Sequence, residues 1–292
     1  MRDIVRSFLA TGPTWPAFAG ELGAAGLTVP EQYGGAGCGL EELAVVAAEL
    51  GRALSPLPFL QTFLAVEAVK QAGDAETLTS LATGTSSATV LFDGGDHALD
   101  GERVFAYRGD RLVEATAFRR VPYDTMDLSR PLARFAIDDA RPVGPAGDPE
   151  RVRDLGVIAL AAEQAGGARR CLESAVAYAK TREQFGRPIG SFQAIKHKLA
   201  DLLMLVESTE AAVAAAVAGA VPAAVAGSYC GEAYLSAAGE NIQVHGGIGI
   251  TWEHDAHRFL KRATSDAQLF GPPQAHRARL HRLVTSSSPP AY

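Results

Sequence analysis

The sequence predicts a mainly α protein with a small β domain, and three observations carry that reading. The second half of the 292-residue chain is built of long stretches rich in alanine, leucine and valine. Residues 1–83 also read as helices, joined by glycine and proline punctuation. Between them, residues 84–147 hold short apolar or aromatic runs ended by Gly94-Gly95 and Gly109-Asp110, which are strand and hairpin signals. The expected order is an N-terminal helical domain (1–83), a reduced middle β domain (84–147), a C-terminal helical bundle (148–285) and a disordered tail (286–292).

Each element has a local reason. Phe18 to Leu27 is short and apolar, and the following Val29-Pro30-Glu31-Gln32-Tyr33-Gly34-Gly35-Ala36-Gly37 is a loop, because its glycines and proline stop a helix. Leu40, Leu43, Ala44, Ala47 and Leu50 recur at three- and four-residue spacing, so Leu40 to Leu54 is an amphipathic helix. Pro56 and Pro58 break it before a further helix, Phe59 to Ala72. Thr89 to Asp93, Val104 to Tyr107, Leu112 to Phe118 and Leu132 to Ile137 are the strands, and Pro142 to Pro149 reads as a linker. Helices then cover Arg151 to Glu183, Gln193 to Ala218, Pro222 to His245, His254 to Leu269 and Pro272 to Val284. Long alanine-faced helices of this kind pack as an antiparallel bundle of four to five. Gly166-Gly167 inside the first costs about 1 kcal/mol each against alanine, which close packing there would offset.

Composition narrows the function. The net charge is −6, with 47% hydrophobic and 21% charged residues, the profile of a soluble globular protein with a sizeable core. The acidic balance argues against a nucleic-acid or anionic-membrane partner. Cys38, Cys171 and Cys230 are too few and scattered for a disulfide framework or a zinc site. No signal peptide is read at the start, and the apolar run Ala211 to Ala226 contains Pro222, so a cytoplasmic protein without a membrane span is expected.

Two segments make little sense as core alone. Thr181-Arg182-Glu183-Gln184-Phe185-Gly186-Arg187-Pro188-Ile189-Gly190-Ser191-Phe192-Gln193 joins two long helices by a turn bearing a guanidinium and an aromatic ring. An arginine there pairs with a phosphate, and the neighbouring Phe and Gln suit an adenine. The same turn reads equally well as a helix corner whose Arg182 caps its own helix. In Gln243-Val244-His245-Gly246-Gly247-Ile248-Gly249-Ile250-Thr251-Trp252-Glu253, the glycines let a backbone approach a ligand and aim its amides at a pyrophosphate. No strand precedes them, so they are not a βαβ dinucleotide fingerprint.

Together, Arg182-Glu183-Gln184-Phe185-Gly186-Arg187-Pro188-Ile189 with Phe192-Gln193, Gln243-Val244-His245-Gly246-Gly247-Ile248-Gly249 and the Val29 to Gly35 loop closely resemble the acyl-CoA dehydrogenase family. The resemblance spans both helical regions. It implies FAD as cofactor, an acyl-CoA thioester as substrate, α,β-dehydrogenation, and a helical domain, β-barrel and four-helix bundle in that order. It also implies that Arg182 contacts the pyrophosphate, that Phe185 and Gln193 contact the adenosine end, and that Gln243, Gly246 and Gly247 approach the same dinucleotide. In the family these residues reach a flavin held mainly by a neighbouring subunit, so a homodimer or a heteromer is implied.

The departures are as informative. The family's base is a carboxylate near the C-terminus, and here the matching Leu269-Phe270-Gly271-Pro272-Pro273-Gln274 has none. A minority branch places the base early on the first bundle helix, where Gly156 stands here. Glu163 lies seven residues further on the same helical face and is the replacement candidate, against a plainer reading as one half of a salt bridge. His245 and His254 read as loop hydrogen-bonders. The family's isoalloxazine-holding loops have no match in residues 84–147, so the chain is short for the family in its β block. That pattern resembles the small degenerate subunits of actinobacterial heteromeric acyl-CoA dehydrogenases of steroid catabolism, in which a homologous partner in an α2β2 heterotetramer shares the flavin. Three functions remain: a subunit that shares an FAD site, a self-sufficient homo-oligomeric enzyme using Glu163, and a non-catalytic binding or scaffold protein that keeps the fold.

Overall fold

The computed structural model describes residues 1–92, 95 and 97–286; the expected tail (286–292) and the Asp93-Gly94 strand end lie, apart from Ser286 in its helix, outside the described residues. The chain divides into two compact units, Met1–Ala159 and Leu160–Tyr292.

In the first unit, α1 (Arg2–Leu9) is tied to α2 (Leu40–Arg52) by a bidentate pair, Arg6 Nε and Nη2 each 2.8 Å from the Glu49 carboxylate. Between them lie a π-helical turn at Ala17–Glu21 and the expected glycine-rich loop. α3 (Phe59–Ala72) is buried nearly all round, as a helix apolar on every face must be. Its one acidic residue, Glu67, is satisfied by Lys70 Nζ at 2.8 Å and Thr28 Oγ1 at 2.7 Å. Gly73 ends α3 at φ +77°, and Asp74 caps the next helix, α4 (Ala75–Ala82), by accepting from Thr77 N at 3.0 Å.

The sheet consists of β1 (Ala88–Leu91), β2 (His97–Leu99), β3 (Arg103–Arg108), β4 (Arg111–Pro122) and β5 (Leu132–Pro145), in the order β1-β3-β4-β5-β2. β1 runs parallel to β3 and the other pairings are antiparallel. Leu91, Val104, Ala106, Ala133 and Phe135 form its core. Two expectations change here. β4 and β5 run well past the strands read from sequence, because their outer parts are charged and exposed and leave no alternation to detect. The expected linker at Pro142 is also strand as far as Pro145. Val113 faces Pro142 while Leu112 faces Gly144, so Val143 is an extra residue, and this bulge lets a proline into the ladder.

In the second unit, α5 (Pro149–Thr181), which begins in the first, leads into α6 (Gln193–Val217), α7 (Ala223–His245), α8 (Ala256–Asp266) and α9 (Pro273–Ser286). α6 and α7 run antiparallel, joined by Lys198 Nζ and the Glu240 carboxylate at 2.6 Å. Small residues set the spacing. A Cβ on Gly167 of α5 would sit 2.5 Å from Tyr234 Cζ on α7, so the close packing expected at this glycine pair is real at Gly167. Gly227 of α7 likewise makes room for the His276 ring of α9, 2.8 Å from where a Cβ would stand. Among the described residues no helix is long and apolar enough to cross a membrane, and no group of His, Cys, Asp and Glu suits a metal ion.

Candidate functional site

α5 ends at Thr181 and the chain turns back through a two-stranded ribbon, β6 (Glu183–Gln184) and β7 (Arg187–Pro188). The two-residue turn between them has Phe185 at φ +54° and Gly186 at φ +72°. A glycine adopts that conformation freely; a bulky phenylalanine does so at a cost of about 1 kcal/mol or more. Phe185 is nevertheless 92% exposed, with the Phe192 ring edge-on to it at 6.2 Å. Behind it the Arg187 guanidinium lies 4.1 Å over Phe192, which stiffens the entry to α6. Gln193, the first residue of α6, is exposed.

Arg182 is exposed as well. Its N–H donates to Tyr178 O and its carbonyl accepts from Ile189 N, both at 2.8 Å. Its side chain makes no hydrogen bond or ion pair among the described residues, so it does not cap α5, and the guanidinium is available.

The second segment forms the end of α7 and a 3-10 turn over Gly246–Ile250. Gln243 is exposed on the last helical turn. The three glycines that follow stand in three different settings. Gly246 stands at φ +66°, ψ −143°, a region that glycine alone visits readily. Gly249 is buried, and a Cβ there would come 3.1 Å from His245 Cβ and 3.2 Å from Ile242 O. Gly247 is exposed, lies outside the positive-φ region, and would carry a Cβ with nothing within 4 Å. Nothing inside the described chain asks for glycine at 247.

One cluster joins the two segments. Ala175, Ala179 and Val244 are buried together, with Tyr178, Ile189, Ile195 and Leu199 packed on them. Arg182, Phe185, Gln193, Gln243, Gly246 and Gly247 thus border one end of the bundle. Both histidines make the local bonds expected of them: His245 Nδ1 lies 2.7 Å from Asn241 O, and His254 Nδ1 accepts from Ala256 N at 3.1 Å. Burial pulls the His245 imidazole below its ordinary value, and the nearby His254 acts in the same direction. Sequence reasoning passed over Tyr178; its place one helical turn before Arg182 was the available signal.

Glu163 is not part of this constellation. It stands 18 residues before Thr181 on α5, about 27 Å along the helix axis. Its carboxylate is buried and lies 3.8 Å from Arg262 Nη1 of α8, an inter-helix ion pair with both side chains at 5% exposure or less. The Leu269 to Gln274 stretch is the turn into α9, and Gly156 is buried in α5; neither offers a carboxylate.

The donor set fits one end of a flavin dinucleotide: an unpaired guanidinium, two carboxamides, an exposed aromatic ring, and a bare backbone where no side chain is needed for packing.

A helical unit with a small sheet, followed by a bundle of long helices that carries exposed, glycine-bearing turns, is the class that the architecture defines. Two family models match the chain: acyl-CoA dehydrogenase, N-terminal domain, over residues 8–84, and acyl-CoA dehydrogenase, C-terminal domain, over residues 154–285. The chain is 45% identical over 280 residues to acyl-CoA dehydrogenase IpdE2 of Mycobacterium tuberculosis, covering 94% of this chain and 87% of that protein. It is 42% identical over 292 residues to acyl-CoA dehydrogenase IpdE2 of Mycolicibacterium smegmatis, covering 97% and 92%. Among solved structures, the Tcur3481-Tcur3483 steroid ACAD matches with a TM-score of 0.82 and 26% identity, over 93% of this chain and 88% of that one. The ChsE4-ChsE5 complex from Mycobacterium tuberculosis shares the fold, with a TM-score of 0.79 at 23% identity over 94% and 88%. The chain belongs to the acyl-CoA dehydrogenase family, which is FAD-dependent.

Proposed function

We propose that this chain is one subunit of an acyl-CoA dehydrogenase assembly, supplying the adenosine and pyrophosphate end of an FAD site that a homologous partner completes. The observation that carries this reading is exposure: Arg182, Phe185, Gln193, Gln243, Gly246 and Gly247 are all on the surface. A cofactor site is concave and buries most of its ligand, so a surface of this kind needs a second surface facing it. Ile248, Ile250 and Trp252, exposed beside the glycines, add apolar area for that contact. The names of the Tcur3481-Tcur3483 and ChsE4-ChsE5 structures each join two proteins, which supports a heteromeric arrangement.

Bound FAD supplies the hydride acceptor for α,β-dehydrogenation of an acyl-CoA thioester, while a carboxylate takes the α-proton. In this chain the Arg182 guanidinium neutralises pyrophosphate charge, Phe185 offers a face for adenine, and Gln193 and Gln243 donate and accept at its polar edges. Gly246 and Gly247 keep side chains out of the way. The base comes from the partner, because the family's two base positions carry no acid here. The substrate class follows the steroid ACAD likeness: a CoA thioester of a steroid-derived acid is the first to try.

The test is to produce the chain alone and together with a homologous acyl-CoA dehydrogenase subunit encoded beside it. Stoichiometric flavin absorbance and dehydrogenation are expected from the pair only. A yellow, active product from this chain alone overturns the proposal. A second reading, a self-sufficient enzyme with Glu163 as base, is favoured by the burial of that carboxylate among small residues and opposed by its pairing with Arg262.

A further inference from the structure

The Gly246–Ile250 turn is a short 3-10 helix that faces outward, closed from within by Thr251 N and Oγ1 donating to Ile248 O, with Trp252 edge-on to His257 further along the loop. Gly246, Gly247 and Ile248 are exposed, and the one buried residue, Gly249, leans on His245 and Ile242. Left to itself, a segment with this many glycines samples many conformations, and ordering it on a ligand costs affinity.

Three rings oppose that disorder. The His245 ring stacks on Tyr178 of α5 with centroids 4.4 Å apart and planes 29° apart, and lies against the His254 ring at 4.2 Å. The bond from Nδ1 to Asn241 O fixes how the imidazole is turned about its own axis. His245 is the last residue of α7, and His254 comes just before α8, with its Nδ1 accepting from Ala256 N at the start of that helix. Residues 246–253 are therefore a loop whose two ends are closed by ring-on-ring contact. Tyr178 belongs equally to the other segment, since its carbonyl receives the Arg182 N–H and its side chain packs on the same Ala175, Ala179 and Val244 cluster that Ile189 covers. One aromatic residue supports both ligand-facing turns.

We propose that Tyr178, His245 and His254 are positioning residues: their stack closes the 246–253 loop, holds Gly246 and Gly247 in the ligand-facing arrangement, and sets that loop relative to Arg182. The role in ligand binding rests on the flavin-site reading above; the closure of the loop does not.

The experiment is amide hydrogen–deuterium exchange of the full chain, read on peptides spanning 246–253, without ligand and with millimolar ADP as the probe. The variants are His245→Ala, His245→Leu, which restores bulk without a plane, and His245→Phe, which restores a flat ring without the Nδ1 bond. Without ligand, the alanine and leucine variants are expected to exchange about tenfold faster than wild type in 246–253 and to leave α9 unchanged, whereas phenylalanine returns most of the protection. A phenylalanine variant as fast as alanine, or an alanine variant as slow as wild type, overturns the proposal. Should removal of the buried ring prevent folding, His254→Ala takes away the less buried partner and is expected to loosen the same peptide; unchanged exchange there also overturns the proposal. In the ADP arm, run on the chain assembled with its homologous partner, added protection of 246–253 in wild type on addition of ADP supports the flavin reading. Its absence overturns that reading and leaves the ligand-free comparison to decide the stack.

Discussion

Replacing Gly247 by alanine separates what the fold needs from what a ligand needs. In the folded chain the new methyl meets no atom within 4 Å, and Gly247 is not among the positive-φ glycines, so the folded state carries no strain. The unfolded state loses conformational freedom, which makes the variant about 0.4–1 kcal/mol more stable if anything. At the proposed flavin site the expected outcome is opposite. A methyl on the exposed face holds a phosphate oxygen away from the backbone amides, and losing one charge-assisted hydrogen bond costs about 1.5–3 kcal/mol. That is a rise in Kd of roughly 10- to 150-fold. The assay pairs urea unfolding of the chain with FAD titration of the reconstituted assembly. Gly167→Ala is the control, because its Cβ would fall 2.5 Å from Tyr234 Cζ, and overpacking there costs about 1–3 kcal/mol of stability. Gly246→Ala is a poorer probe, since φ +66° with ψ −143° strains any L residue before a ligand is present. An unchanged FAD affinity in Gly247→Ala refutes the reasoning: the glycine would then face no phosphate.

Glu163→Gln weakens the buried contact with Arg262 and is expected to cost about 1.5–3 kcal/mol in urea unfolding while turnover per folded assembly stays near wild type; a hundredfold loss of turnover with unchanged stability assigns the base to Glu163 instead. His245 and His257 are both held below the ordinary value of 6.5, chiefly by burial. Between the folded and ordinary values the unfolded chain binds more protons, so this stability is full above pH 6.5 and is lost as pH falls through the folded values; urea midpoints from neutral to acidic pH check it, and His245→Phe removes part of the slope. Burial pushes the Cys230 thiol up to about 12 and raises that of fully buried Cys171, so a thiol reagent labels Cys38 in the native protein and reaches the other two only after denaturation.

Legibility followed burial. α3 was readable to the residue because apolar side chains fill it between Pro58 and Gly73, two residues that stop helices for backbone reasons. β1 and β3 were readable because they are apolar on both faces. α1 was not, as Val5 is its one buried residue and it docks through the Arg6–Glu49 pair, a contact across 43 positions. β2, three residues long, exists only because β5 is there to pair with it. The outer parts of β4 and β5 hold Arg119, Arg120, Asp138 and Asp139 on exposed faces, so no period marks them. At the candidate site the chemistry-bearing types were visible in two segments, but the link between them was not. Tyr178 and His245 are 67 positions apart, and their stacking is set by how α5 and α7 pack, with Gly167 under Tyr234 fixing that approach.

The position of Glu163 tightens the case for a partner. A base must sit within about 3 Å, or one water, of the proton it takes. Glu163 is buried, and a carboxylate in that setting is tolerated because the Arg262 guanidinium lies 3.8 Å away; turning it toward a substrate would give up that contact. Pairing with Arg262 and attacking an α-proton are competing demands on the Glu163 carboxylate. The positions where the family places its base hold Gly156 and the acid-free turn from Leu269 to Gln274. Exposed turns at Arg182 and Gly246–Gly247, beside a buried Glu163 held in an ion pair with Arg262, are what the proposed half-site predicts, and FAD binding by the pair but not by this chain alone is the outcome that decides it.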